Sequence, residues 1–172
     1  MRILFMGTPD YAVQFLRKIM EKDEILGVVS SGNRPSLLPR YRGPAPVQWA
    51  LINGDSYTGV SSIFMKEEVD AGDVILQKNV PIEPLDNYLS LLKKLCLQGV
   101  TLLGETLDLI RKGRALARPQ GNSGVTYAPL LKKSDGQIDW NDSSTRILNR
   151  IRALNPWPGT YVKLNGGRKV KI

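Results

Sequence analysis

The 172 residues suffice for one ordinary domain and part of a second, and a hydrophobic content of 42% excludes global disorder. Lys and Arg number 24 against 16 Asp and Glu, a net charge of +8 and a pI near 9.7. That balance favours a polyanionic partner such as RNA or a phosphorylated cofactor, and equally fits a merely soluble basic protein. There is no histidine, which excludes Ser–His and Cys–His nucleophilic systems and, with a single cysteine, most catalytic zinc sites.

That cysteine, Cys96, sits among leucines. A disulfide framework is excluded, a buried inert thiol is expected, and a cytoplasmic location suits both. No apolar run reaches the ~18 residues of a membrane span. The opening MRILFMGTP lacks the pattern of a signal peptide.

In chain order, Ile3 to Met6 reads as a buried parallel strand. Gly7-Thr8-Pro9-Asp10 then opens a helix: Thr8 is a good N-cap, Pro9 suits the first helical position, and Asp10 favours the positive end of the helix dipole. Ala12, Phe15, Leu16, Ile19 and Met20 continue it at helical spacing, and Ile25 to Val29 is a second strand. Together these form a βαβ unit. Its Gly-Thr-Pro turn is either structural or a substrate contact at a strand's carboxyl end. The dinucleotide fingerprint GxGxxG is absent.

Ser30-Ser31-Gly32-Asn33 reads as a short joint. Prolines at 35, 39, 44 and 46 forbid a helix or central strand in the next stretch. Arg34, Arg40 and Arg42 surround Tyr41 there, a composition suited to a phosphate or a base. The alternative is an ordered surface loop whose prolines only lower unfolded-state entropy. Pro46 to Gly54 reads as a short helix with Pro in its first turn and Gly past its end.

Asn53-Gly54-Asp55 is a turn, and Thr58 to Lys66 is strand-like. Glu67, Glu68, Asp70 and Asp73 crowd the loop that follows, read as a solvated acidic turn, and Val74 to Gln77 is another strand. Asp86 or Asn87 caps the longest helix. Its expected core stripe is Leu89, Leu92, Leu95, Cys96, Val100, Leu103, Leu107 and Ile110, ending near Gly113. Arg118 to Gly124 is linker-like. Ser143 or Ser144 caps a helix with Ile147, Leu148, Ile151 and Leu154 on one face. Arg146, Arg150 and Arg152 lie on the other, to meet RNA phosphates or simply solvent. Asn155 to Gly159 stops it, and 160–172 is a hairpin around Asn165-Gly166-Gly167.

Four blocks resemble the folate-dependent formyltransferases, and among them those acting on methionyl-tRNA. They are MGTPDYAV at 6–13, SLLPRYRG at 36–43 with PAPVQWALINGD after it, the Val-Asp-x-Gly-x-Ile-Leu-like stretch at 69–76, and Thr126 to Tyr161 ending in LNPWPGTY. The resemblance implies an α/β, Rossmann-like formyltransferase N-terminal domain with an incomplete sheet at 1–125. An interdomain linker at 126–142 and the first elements of a tRNA-binding C-terminal β-barrel domain at 143–172 follow. It implies transfer of a formyl group from 10-formyltetrahydrofolate to the amino group of methionyl-tRNA by a cytoplasmic, metal-free monomer.

By the same resemblance Asp70 is the catalytic carboxylate. Gly7, Thr8, Pro9, Ser36, Leu37, Leu38, Pro39, Arg40 and Arg42 are substrate-binding. The chain departs from the family pattern at one place. The family's catalytic Asn falls on Gly32 and its catalytic His on Arg34, and the strands between Ser30 and that motif are missing. Two alternatives stay open: a catalytically inactive RNA-binding remnant, and a related formyltransferase acting on an amino sugar or small amine.

Overall fold

The computed structural model describes residues 2–6, 17, 24–29, 36–64, 66–164 and 167–172. Strand β1 (Arg2–Met6) pairs in parallel with β2 (Glu24–Val29), in register from Arg2 opposite Glu24 to Met6 opposite Val29, with a shift between Ile3 and Leu4. Parallel neighbours require a crossover connection, as the βαβ reading expects. The helix expected after β1, the Gly7-Thr8-Pro9 turn and the Ser30–Arg34 joint lie outside the described residues.

Helix α1 (Pro46–Ile52) starts with its proline in the first turn, where a missing N–H costs nothing. Gly54 follows its end at φ +71 and turns the chain into β3 (Tyr57–Ile63). Strand β4 (Val74–Pro81) lies antiparallel to β3, with Tyr57 opposite Pro81 and Ile63 opposite Val74. Helix α2 (Tyr88–Arg111) is capped by Asn87, whose side chain accepts from the Ser90 N–H while the Ser90 hydroxyl accepts from the Asn87 N–H. Asp86, the other candidate cap, accepts from Ser90 Oγ at 2.7 Å, Lys94 Nζ at 2.6 Å and the Glu83 N–H at 2.8 Å.

A 3₁₀ turn (Lys133–Gly136) leads to α3 (Ser144–Leu154), capped by Ser143. The hairpin of β5 (Tyr161–Lys163) and β6 (Lys169–Lys171) follows. The Asn165-Gly166 part of its turn lies outside the described residues. One apolar cluster joins Leu51 of α1, Val60 of β3, Val80 of β4, Leu91 and Leu95 of α2, and Leu154 of α3. Among the described residues no helix is long and apolar enough to cross a membrane.

Two helix faces differ from the sequence reading. On α2 the buried positions are Leu91, Leu95, Cys96, Gly99, Leu102, Thr106 and Leu107; Leu95, Cys96 and Leu107 of the expected stripe are among them, but Leu89, where that stripe began, is 57% exposed. Apolar residues occupy more than one side of this helix, so its periodicity admits two phases. Packing against β3, β4 and α1 selects one of them. On α3 Leu148 points outward, and Asn149, Ala153 and Leu154 are the buried positions.

Arg152 therefore does not share the outer face with Arg146. Its Nη1 donates to the carbonyls of Glu83, Pro84 and Asp86, and its Nε to Asn149 Oδ1 at 3.0 Å. The guanidinium covers carbonyls just ahead of α2 that the α2 ladder does not use.

Candidate active site

The 36–43 loop is held by its backbone. Ser61 Oγ on β3 donates to the Ser36 carbonyl at 2.7 Å and accepts from the Leu38 N–H at 3.2 Å. Gln77 Nε2 on β4 donates to the Leu38 carbonyl at 2.8 Å and to Ser61 Oγ at 2.9 Å. Leu37 packs over Gly59, where any Cβ would collide with it. Pro39 follows a cis peptide bond, and its carbonyl accepts from the Thr126 N–H. Arg42 then exchanges backbone hydrogen bonds with the 126–128 segment: its N–H donates to the Thr126 carbonyl at 2.8 Å and its carbonyl accepts from the Ala128 N–H at 2.7 Å. The stretch that reads as a linker thus runs beside the loop as a strand-like partner.

The loop's side chains are engaged internally. Tyr41 adopts φ +58 and its ring is 6% exposed, which leaves no face for stacking a base. Its hydroxyl donates to Asp55 Oδ2 at 2.7 Å and accepts from Asn53 Nδ2 at 2.9 Å. Burial pushes this phenol above its ordinary range, the Asn53 donation opposes that, and the hydrogen bond to Asp55 reinforces it. Arg40 is exposed and reaches both Asp55 oxygens, at 3.1 and 2.9 Å. Arg42 is 9% exposed; its Nε and Nη2 donate to Gln120 Oε1 at 3.3 and 2.9 Å, and its Nη1 meets Glu68 at 3.3 Å. Composition around Tyr41 suggested cations for a phosphate, but the fold gives both arginines carboxylate partners.

Asp70 adopts φ +58 at the tip of the β3–β4 connection. Its Oδ2 accepts the Gly43 N–H at 2.8 Å, which joins the acidic loop to the end of the 36–43 loop. Gly43 sits at φ +123, and a Cβ there would stand 2.7 Å from the Ala128 carbonyl oxygen, so only glycine brings its N–H to this carboxylate without displacing backbone. Within the same connection Asp73 pairs with Lys66 at 2.6 Å. The acidic residues are thus divided: Glu68 neutralises Arg42, Asp73 pairs locally, and Asp70 faces a backbone donor.

The structure joins Asp70 to Gly43 and, through Gln120, to Arg42, while the Ser36 and Leu38 backbone is held by Ser61 and Gln77 and Arg40 by Asp55. Gly7, Thr8 and Pro9 lie outside the described residues. The residues that sequence reasoning passed over are Ser61, Gln77, Thr126 and above all Gln120. The last sits in a Pro-Gln-Gly stretch whose only local signal is that of a loop. A groove of about 620 Å³ runs beside the site, lined by Leu38, Pro39, Gln77, Arg118 and Gln120. A second, of about 540 Å³, lies between the end of α1 and α3, with Arg146, Arg150 and Arg152 on its wall.

Residues 33–107 match the family described as formyl transferase, and residues 130–172 match the formyl transferase C-terminal domain. The chain is 45% identical over 168 residues to the methionyl-tRNA formyltransferase of Thermodesulfovibrio yellowstonii, covering 95% of this chain and 54% of that protein. It is 30% identical to the methionyl-tRNA formyltransferase of Geobacter sulfurreducens, covering 96% of this chain and 75% of that protein. The second alignment runs over 239 positions, more than the 172 residues here, so that relative carries segments this chain does not. The chain spans only about half the length of the Thermodesulfovibrio relative.

Among solved structures, a 4-N formyltransferase from Francisella tularensis superposes with a TM-score of 0.85 at 17% identity, covering 99% of this chain and 96% of that one. HypX from Aquifex aeolicus, in a complex with tetrahydrofolic acid, superposes with a TM-score of 0.82 at 20% identity, covering 100% of this chain and 37% of that one. At these identities the likeness is one of fold.

Proposed function

Because the chain belongs to the formyltransferase family, we propose that it serves transfer of the formyl group of 10-formyltetrahydrofolate to the amino group of methionyl-tRNA, with Asp70 as the acid–base carboxylate. The observation that supports this reading is the Gly43 N–H to Asp70 Oδ2 hydrogen bond at 2.8 Å. It couples two of the four segments that resemble the family, 36–43 and 69–76.

In this reaction the amine lone pair forms a bond to the formyl carbon, and the carbonyl electrons move onto oxygen. They return as the bond to N10 of the donor breaks. The proton lost by the amine ends on N10, and Asp70 relays it. Gly7, Thr8, Pro9 and the 36–42 loop shape the substrate side. Ser36, Leu38 and Arg42 act from within the scaffold, and Arg40 acts at its surface. The same proposal divides the chain at 125/126 and 142/143. It also takes the molecule as a cytoplasmic monomer that meets tRNA phosphates partly through the outward Arg146.

Gly32 and Arg34 stand where the resemblance places the family's Asn and His. Loss of an acid–base group costs about 10²–10⁴ in rate, and loss of an oxyanion donor about 10²–10³. The activity proposed is correspondingly slow. The test is incubation of the purified chain with 10-formyltetrahydrofolate and either methionyl-tRNA or an amino sugar. Slow formylation of methionyl-tRNA that falls at least about tenfold in Asp70→Ala is expected. Transfer that ignores Asp70→Ala, transfer confined to the amino sugar, or salt-sensitive tRNA binding without transfer overturns the reading.

A further inference from the structure

Gln120 has every hydrogen-bonding site of its carboxamide occupied. Nε2 donates one hydrogen to the Asp70 carbonyl at 2.8 Å and the other to the Gly72 carbonyl at 2.6 Å. Oε1 accepts twice from Arg42, at Nε and Nη2. This set fixes the orientation of the amide: turned over, it would set an NH₂ against a guanidinium and an oxygen against two carbonyls. The residue is delivered by a short antiparallel bridge in which Arg118 and Val74 exchange two backbone hydrogen bonds at 2.8 Å each. Pro119 stiffens the step between bridge and side chain.

Asp70 needs such a hold. A non-glycine residue at φ +58 persists where its surroundings over-determine it. Its carboxylate meets the Gly43 N–H, and its carbonyl and that of Gly72 are both held by the one carboxamide. Gly72 is closely enclosed in turn, since a Cβ there would overlap the Phe64 carbonyl. Gln120 also grips Arg42, the residue immediately before Gly43. One side chain therefore links the backbone that carries the carboxylate to the guanidinium of the residue next to its donor.

We propose that Gln120 is the positioning residue for Asp70, setting the carboxylate against the Gly43 N–H by clamping the 70–72 backbone to Arg42. This rests on the reading of Asp70 given under Proposed function for its catalytic consequence, but not for its structural one. Gln120→Glu separates the two halves of the clamp. A carboxylate still accepts from Arg42 but cannot donate to the Asp70 and Gly72 carbonyls and repels them.

The experiment measures hydrogen exchange at the Gly43 amide, the thermal midpoint and formyl transfer in the full chain, Gln120→Glu, Asp70→Asn and the double variant. Gly43 exchange is expected to rise at least about tenfold in Gln120→Glu, as both donations to the Asp70 and Gly72 carbonyls are lost. Transfer is expected to fall about tenfold in Gln120→Glu and less than about twofold when the same change is made on Asp70→Asn, because the two act as one unit. Gln120→Asn, which keeps the carboxamide but is one methylene shorter, serves if Gln120→Glu does not fold, with the same expected rise in exchange. An unchanged Gly43 exchange rate in a folded variant, or losses that multiply in the double variant, overturns the proposal. If the parent chain transfers no formyl group, the catalytic reading fails, and Gly43 exchange alone decides whether Gln120 positions Asp70.

Discussion

Gly43→Ala isolates the geometry on which the site depends. Two costs add. At φ +123 an L side chain is strained by about 1–3 kcal/mol. Its Cβ would also stand 2.7 Å from the Ala128 carbonyl oxygen, a backbone atom that cannot rotate away. Relief requires Ala128 to shift at the cost of its hydrogen bond to the Arg42 carbonyl, a loss of about one net hydrogen bond or roughly 1 kcal/mol. The sum is about 2–4 kcal/mol, which at a urea m-value of roughly 2 kcal/mol/M lowers the unfolding midpoint by about 1–2 M. Gly113→Ala is the control. Gly113 has φ +62, but a Cβ there meets nothing within 4 Å, so only the backbone cost of about 1 kcal/mol applies. Urea melts followed by circular dichroism make the comparison. Equal midpoint shifts for the two variants would refute the account of Gly43 as a close-approach position.

Further outcomes follow from the packing and the charges. Leu91→Ala, at a fully buried position of α2, should cost about 2–5 kcal/mol, while Leu89→Ala, at a position 57% exposed, should stay within about 0.5 kcal/mol; the reverse order in urea melts would restore the stripe expected from periodicity. Burial pushes the Cys96 thiol up to about 11, so near neutral pH it holds roughly 10²-fold less thiolate than an ordinary cysteine. Iodoacetamide labelling should accelerate by at least that factor in urea, and rapid labelling of the folded chain would contradict the burial. For Asp86, burial pushes the carboxyl up, but the hydrogen bonds from Lys94, Ser90 and the Glu83 N–H outweigh it and hold the group below the ordinary carboxylate range. A depressed folded value contributes stability above the unfolded value and loses it as pH falls through the folded one. Lys94→Met should therefore lower the urea midpoint at pH 7 and narrow its gap to the parent at acid pH; a pH-independent gap would count against the pairing.

Much of the fold was legible in the chain because its signals are local. Pro46 in the first turn of α1, Asn87 and Ser143 as caps, and Gly54 at a left-handed position each act within about four residues. The strands expected at 58–66 and 74–77, and the terminal hairpin, follow from apolar runs bounded by turn residues, although pairing ends the first at Ile63 and carries the second to Pro81. Asp70 and the 36–43 loop were legible only through their resemblance to a family, since an acidic turn and a proline-rich loop carry no unique chemistry by themselves.

What the tertiary structure decided is which groups meet. Arg42 reaches Glu68 across 26 positions and Gln120 across 78, and Gln120 reaches Asp70 across 50. No periodicity or capping rule operates over such separations. The same holds for the buried line of α2 and the inward turn of Arg152, where the choice between faces was made by the neighbouring elements rather than by the helix. The sequence by itself determined where the described helices start and which stretches form strands, because backbone dihedrals and orphan N–H groups are satisfied by near neighbours. The partners of Arg40, Arg42 and Asp70 were settled only when packing brought distant donors and acceptors together, around an Arg42 buried too deeply to be left unpaired.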